Sequence, residues 1–168
     1  MSRAVVVYES IFGNTQAVAN AVAAGLGETL PVEVHEVSQA PTALEGADVL
    51  LVVGGPTHAF SLSRPQTRDT ARAQVPGEPV SRGIGLREWL ESVRLGPGIR
   101  GAAFDTRINK SFVPGSAAKA AQKRLRHLGA LPAGTESFWV ADMGGPLLPG
   151  EVERATAWGR DLAAGVQA

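Results

Sequence analysis

The sequence predicts an α/β fold, a three-layer sandwich in which a five-stranded parallel sheet is covered by helices on both faces. Three observations predict it. Short β-branched runs recur along the chain, and each is followed by a longer stretch with apolar residues at helical spacing. Ala4–Tyr8 and Asp48–Val53 are apolar on consecutive residues, as expected of strands buried on both faces. With 168 residues, no internal repeat and no interdomain linker, the chain suits one domain spanning residues 1–168.

Ala4–Tyr8 is the first strand. Asn14–Leu26 follows as a helix with Val18, Ala21, Val22 and Leu26 on one face, and Gly27 stops it. Val32–Val37 alternates Val-Glu-Val-His-Glu-Val, the pattern of a strand nearer the sheet edge. Asp48–Val53 is a buried strand that runs into Gly54-Gly55-Pro56. Gly85–Val93 reads as a helix with Leu86, Trp89, Leu90 and Val93 on one face. Gly101–Thr106 is the fourth strand, Ser116–Leu128 a helix and Glu136–Ala141 the fifth strand. Glu151–Ala164 closes the chain as a helix with Val152, Ala155, Trp158 and Leu162 inward. Strands separated by helices require right-handed crossovers and hence a parallel sheet. Ser61–Arg82, rich in Pro, Arg, Gln and Ser, is too long for an ordinary connection. It is either a functional excursion over the site or a mobile loop, and Arg64, Arg68 and Arg72 share a face if it is helical.

Composition narrows the function classes. Hydrophobic residues at 44% and charged residues at 19% describe a globular protein rather than a disordered tail. The absence of cysteine excludes disulfides, thiolate catalysis and cysteine-held metal centres. The apolar run behind Met1-Ser2-Arg3 is too short for a signal peptide or a membrane span, so a cytoplasmic location without membrane attachment is expected. Net charge is zero but uneven: residues 1–63 carry one cation, Arg3, against six carboxylates. Between Asp105 and Glu136 lie Arg107, Lys110, Lys119, Lys123, Arg124 and Arg126 without an acid, a stretch that reads as a solvated helix face or as a steering patch for anions. Without interleaved aromatics or a groove-reading motif, nucleic acid is not an expected partner.

In an open parallel sheet, ligands bind beyond the carboxyl ends of the strands. After the first strand comes Glu9-Ser10-Ile11-Phe12-Gly13-Asn14-Thr15, leading straight into a helix. Ser10, Asn14 and Thr15 offer short donors, Gly13 lets an anion approach the backbone, and the helix start adds free N–H groups and a partial positive charge. No Lys or Arg occurs between Arg3 and Arg64, and both the G-x-x-x-x-G-K-[ST] and G-x-G-x-x-G patterns are missing. What remains is a neutral-donor cradle suited to one terminal monophosphate. The bland alternative is an ordinary strand-to-helix turn capped by Ser10 or Asn14.

These residues resemble the flavodoxin family, whose phosphate loop follows the first strand as [ST]-x-[ST]-G-x-T. Phe12 stands where many members carry a hydroxyl. The similarity extends to Gly54-Gly55-Pro56-Thr57-His58, Phe104-Asp105-Thr106-Arg107, Gly115-Ser116-Ala117-Ala118-Lys119 and Gly145-Pro146-Leu147-Leu148-Pro149-Gly150-Glu151. The resemblance implies a flavodoxin-like sheet of strand order 2-1-3-4-5 and flavin mononucleotide (FMN) as cofactor. It places Ser10, Phe12, Gly13, Asn14 and Thr15 on the phosphate. Pro56, Thr57, His58 and Ala59 would run along one side of the ring, and Asp105, Thr106 and Arg107 along the other side or the pyrimidine edge. It implies a redox protein partner or a small acceptor such as a quinone.

The chain departs from electron-transfer flavodoxins in two respects. The flavin loops offer His58, Phe60 and Phe112 rather than Trp or Tyr, since Trp89, Trp139 and Trp158 fall in helix or strand positions. The chain is neutral rather than acidic, with Arg64, Arg68, Arg107 and Lys110 expected near the rim. A binding or regulatory module of the same fold that holds no flavin is the second reading. A Mg²⁺-dependent use of the fold would need clustered carboxylates, for which Glu9, Asp105 and Asp142 are the candidates. His58 reads as a loop residue, with metal ligation or acid–base work as alternatives; His35 and His127 read as structural or solvated. Asp142-Met143-Gly144-Gly145 is either a last rim of the site or a turn.

Overall fold

The computed structural model describes residues 2–109 and 114–167. Its main sheet contains β1 (Arg3–Tyr8), β2 (Val32–Glu36), β4 (Val49–Pro56), β6 (Arg100–Ile108) and β7 (Leu131–Val140), all parallel. Their order is β2-β1-β4-β6-β7, which is the expected 2-1-3-4-5 when these five are counted consecutively. Two short strands, β3 (Ala43–Leu44) and β5 (Arg94–Leu95), pair separately.

Alternation along the central strands divides the interior into two cores. Ala4, Val6, Leu50, Val52, Ala102 and Phe104 face α1 (Asn14–Leu26) and α5 (Glu151–Gln167). Val5, Val7, Leu51, Val53 and Ala103 face α3 (Leu86–Ser92) and α4 (Ala117–His127). Removing this continuous apolar surface from water on both faces is the main force holding the layers together.

Close contacts need glycine at a few points. A Cβ on Gly54 would fall inside the Phe104 ring, which explains why β4 continues through two glycines that weaken strand propensity. Helices α1 and α5 approach through reciprocal glycines. A Cβ on Gly25 would strike the Thr156 carbonyl, and one on Gly159 the Val22 carbonyl. Trp158 stacks edge-to-face on Phe104 and Phe138, and Trp89 is buried on α3, so both are core residues.

Three expectations change. Val152 is 44% exposed rather than inward, because Glu151 takes the inward position of the first turn, where its carboxylate accepts the Trp139 amide at 2.8 Å. Strand β7 starts five residues before Glu136, absorbing Pro132 and Gly134 next to a register shift at Gly101/Ala102. Ser61–Arg82 contains a helix, α2 (Pro65–Arg72).

Candidate functional site

The site grows from the start of α1. Gly13, at φ +103° with nothing within 4 Å of a built Cβ, is the helix N-cap and supplies no capping side chain. The first-turn amides of α1 therefore lack the side-chain acceptor that most helix starts have. The Ser10 hydroxyl accepts the Gly13 amide at 3.1 Å, and the Ser10 amide is turned away to the Ser81 hydroxyl at 2.9 Å. Thr15 is buried and shares a 2.7 Å hydrogen bond with Thr106, fastening the loop to the end of β6. Asn14 lies against Gly145, where a Cβ would be 2.6 Å from its Oδ1.

This helix start opens into a cavity of about 360 Å³ at the carboxyl edge of the sheet, a size at the low end of small-molecule sites. Ser10, Phe12, Asn14 and Thr15 form one wall; Pro56, Thr57, His58 and Ala59 form another; Thr106 and Arg107 form a third. Gly13 lies between two of the lining residues. The site also contains residues that the sequence did not single out. Ile108 and Val140 extend two strand ends, and Thr67, Thr70 and Ala71 bring α2 over the opening. Met143 comes from the Asp142–Gly145 turn, so that turn is a rim of the cavity. The Pro at Pro65 and the length of Ser61–Arg82 were the available signals for α2; its polar composition concealed the wall it forms.

The wall after β4 is a tight hairpin. The His58 amide donates to the Ser61 carbonyl at 2.8 Å and the Ser61 amide returns to His58 at 3.0 Å. The two residues between, Ala59 (φ 47°) and Phe60 (φ 71°), both adopt the left-handed backbone that Asn-Gly would fill without strain. Gly115 sits beneath, where any Cβ would strike the Phe60 carbonyl. His58 Nδ1 lies 3.1 Å from the Thr67 hydroxyl. Burial first, and the Arg68 guanidinium second, push the His58 pKa down to about 4, so the ring is neutral near neutral pH.

Asp105 does not line the cavity. Alternation along β6 sends Phe104 and Thr106 toward α1 and Asp105 toward α4. There its Oδ2 accepts the Ala118 amide at 3.1 Å, the Thr57 hydroxyl at 3.1 Å and the Ser116 hydroxyl. It binds the loop after β4 to the start of α4. Glu9 is turned to the same side. Its carboxylate takes the Ser63 hydroxyl at 2.7 Å and the Leu86 amide at 2.7 Å, yet burial still pushes its pKa above the ordinary value. No group of three metal-ligating side chains occurs among the described residues.

Arg68 is likewise not a rim cation. It is buried, paired with Glu88 at 2.8 Å and bonded to Ser63 at 2.9 Å. Arg72 holds the carbonyls of Ser81 and Gly83. These contacts fix Ser61–Arg82 as an ordered excursion over the site. Arg107 lies on the cavity wall with its guanidinium 5.5 Å from the Trp139 ring centre. Lys110 and Phe112 lie outside the described residues. No helix among the described residues is long and apolar enough to cross a membrane.

No protein-family model matches the chain, and the curated proteins give no match. Solved structures do. A Streptococcus pneumoniae flavodoxin aligns at TM-score 0.66 and 18% identity, over 98% of this chain and 99% of its own. Bacillus cereus flavodoxin 1 aligns at 0.64 and 19%, over 97% and 98%. A WrbA-like flavodoxin from Agrobacterium tumefaciens aligns at 0.58 and 17%, over 99% and 98%. With the strand order and the position of the cavity, these alignments show that the chain has the flavodoxin-like fold.

Proposed function

We propose that this chain is an FMN-binding redox protein of flavodoxin type, residues 1–168 acting as one cofactor-binding domain, which carries electrons between partners or reduces a small acceptor. One observation carries the proposal: an α1 start with no capping side chain opens into a cavity walled by the loops after β1 and β4 and by the end of β6. Free first-turn amides, a glycine N-cap and hydroxyl donors form an anion site, and with no cation between Arg3 and Arg64 they suit a single phosphate.

In this reading Ser10, Gly13, Asn14 and Thr15 hold the phosphate, with Phe12 beside them. Pro56, Thr57, His58 and Ala59 line one side of the ring, and Thr106 and Arg107 the other. Asp105 acts one step removed, keeping Thr57 and the start of α4 in place. Bound FMN supplies one- and two-electron transfer. The chain's own residues orient the ring, exclude water from it and set the charge around it. Arg107, braced on Trp139, favours an occupant that gains negative charge.

The test is FMN uptake. Protein incubated with FMN and desalted should retain visible flavin absorbance, with Gly13→Asp as a folded control that retains much less. The flavin-free binding module draws on one observation: Phe12 and His58 are the aromatic residues on the cavity wall among the described residues. Absence of retained flavin would favour that reading.

A further inference from the structure

The loop after β1 is gripped from behind by the excursion that carries α2. Val80 and Ser81 run alongside Ser10 and Ile11. The Ser81 amide donates to the Ser10 carbonyl at 2.7 Å, and the Val80 amide donates to the Ile11 carbonyl at 3.2 Å. The Ser10 amide returns to the Ser81 hydroxyl at 2.9 Å. Both backbone groups of Ser10 are therefore tied to one residue, and Ser10 and Ser81 are both wholly buried. A buried amide deprived of its acceptor is costly, so this pairing decides which way the Glu9–Ser10 peptide plane faces.

The Ser81 hydroxyl has a definite direction. An amide can only donate, so the oxygen accepts from Ser10 and its hydrogen goes to the Glu36 carboxylate, 2.7 Å away at the end of β2. A hydroxyl that donates to a carboxylate is the stronger acceptor for it. On the other side, the Ser10 hydroxyl accepts the Gly13 amide at 3.1 Å and closes the turn that presents the start of α1. A chain of contacts thus runs from Glu36 through Ser81 and Ser10 to Gly13. Arg72 of α2 holds the Ser81 carbonyl at 3.1 Å, which keeps the segment in place. We infer that Ser81, with Glu36 as its acceptor, is a positioning residue for the phosphate: it sets Ser10 so that the donors of the loop and helix start face the cavity. Neither Ser81 nor Glu36 lines the cavity. The inference rests on the FMN reading, and it gives the excursion a task at the phosphate end as well as at the α2 wall.

Riboflavin carries the ring of FMN without the phosphate, so it separates the phosphate grip from the ring pocket. Dissociation constants for both flavins are measured by fluorescence titration on wild type, Ser81→Ala, Glu36→Ala and Glu36→Gln. Ser81→Ala keeps the Ser81 amide on the Ser10 carbonyl and removes only the acceptor of the Ser10 amide. It should weaken FMN binding about tenfold and riboflavin binding by less than about twofold. Glu36→Ala should cost about threefold for FMN alone, and Glu36→Gln, whose amide oxygen can still accept the hydroxyl, should stay within about twofold of wild type for both flavins. Glu36 is only half-buried, so its two variants carry the comparison even where Ser81→Ala does not fold. Equal losses for FMN and riboflavin, or no loss of FMN affinity in Ser81→Ala or Glu36→Ala, would overturn the inference while leaving FMN binding intact. A wild-type protein that binds no FMN, or binds riboflavin as tightly as FMN, would overturn the phosphate reading and the inference with it.

Discussion

At the scale of single residues, Gly13 separates ligand binding from folding. Its built Cβ meets no atom, so a side chain there needs no repacking, although φ +103° imposes strain on any residue but glycine. Aspartate tolerates left-handed backbone better than most and can cap the first-turn amides itself. Gly13→Asp should therefore keep a melting temperature within a few degrees of wild type while weakening FMN binding at least tenfold, read by flavin titration. Glu9 gives a pH prediction. Burial raises its folded pKa above the unfolded value, so between the two values the folded state binds more protons and stability falls as pH rises. Glu9→Gln keeps an acceptor for the Leu86 amide and removes the titration. Its melting temperature relative to wild type should improve as pH rises above the ordinary carboxylate range; a constant difference would show that the buried charge costs nothing. His58 has the opposite sign. Its folded pKa of about 4 lies below the unfolded value of 6.5, so its contribution is fully present above the unfolded value and is lost as pH falls toward 4. His58→Gln should flatten acid destabilisation across that window.

At the scale of elements, the α1–α5 contact tests propensity against packing. Alanine is the better helix former by about 1 kcal/mol. A Cβ at Gly25 or Gly159 meets a main-chain carbonyl of the opposite helix, which no rotamer change can relieve. Overpacking costs about 1–3 kcal/mol, so Gly25→Ala and Gly159→Ala should each lower stability, measured by denaturant unfolding. Both substitutions should leave FMN affinity per folded molecule unchanged, since the contact lies away from the cavity. Elements were legible where the pattern was strong and local. The faces of α1 and α3 and the buried runs of β1 and β4 followed from periodicity. The first half of β7 was not legible, because Pro132 and Gly134 resemble a turn and pair only through the irregular register with β6. For Asp105 the sequence left two roles open, capping a loop or contacting a ring edge, and the structure gives it the first. Strand β6 runs two residues beyond Thr106, so alternation still governs the positions that a loop reading leaves free.

At the scale of the whole molecule, the strand–loop–helix passage through Ser10–Thr15 was readable because it is contiguous in sequence, and the strand order followed from the family resemblance. The contributions of Ile108, Val140, Thr67, Thr70 and Ala71 to the cavity were not, because they reach it only through the fold. Occupancy should be felt throughout: FMN at a hundred times its dissociation constant adds about 2.7 kcal/mol. For a chain of this size that is a rise of roughly 5–10 °C in melting temperature, which thermal scans with and without FMN can measure. Helix α2 has a further consequence. Thr67, Thr70 and Ala71 form one stripe, over the cavity; Arg68 and Arg72 form another, rooted in Glu88, Ser63 and the Ser81–Gly83 backbone. Because Thr67 also caps the helix and Ala71 is buried, Thr70 is the position on the cavity side that can be rewritten to admit a differently shaped guest while the moorings stay untouched.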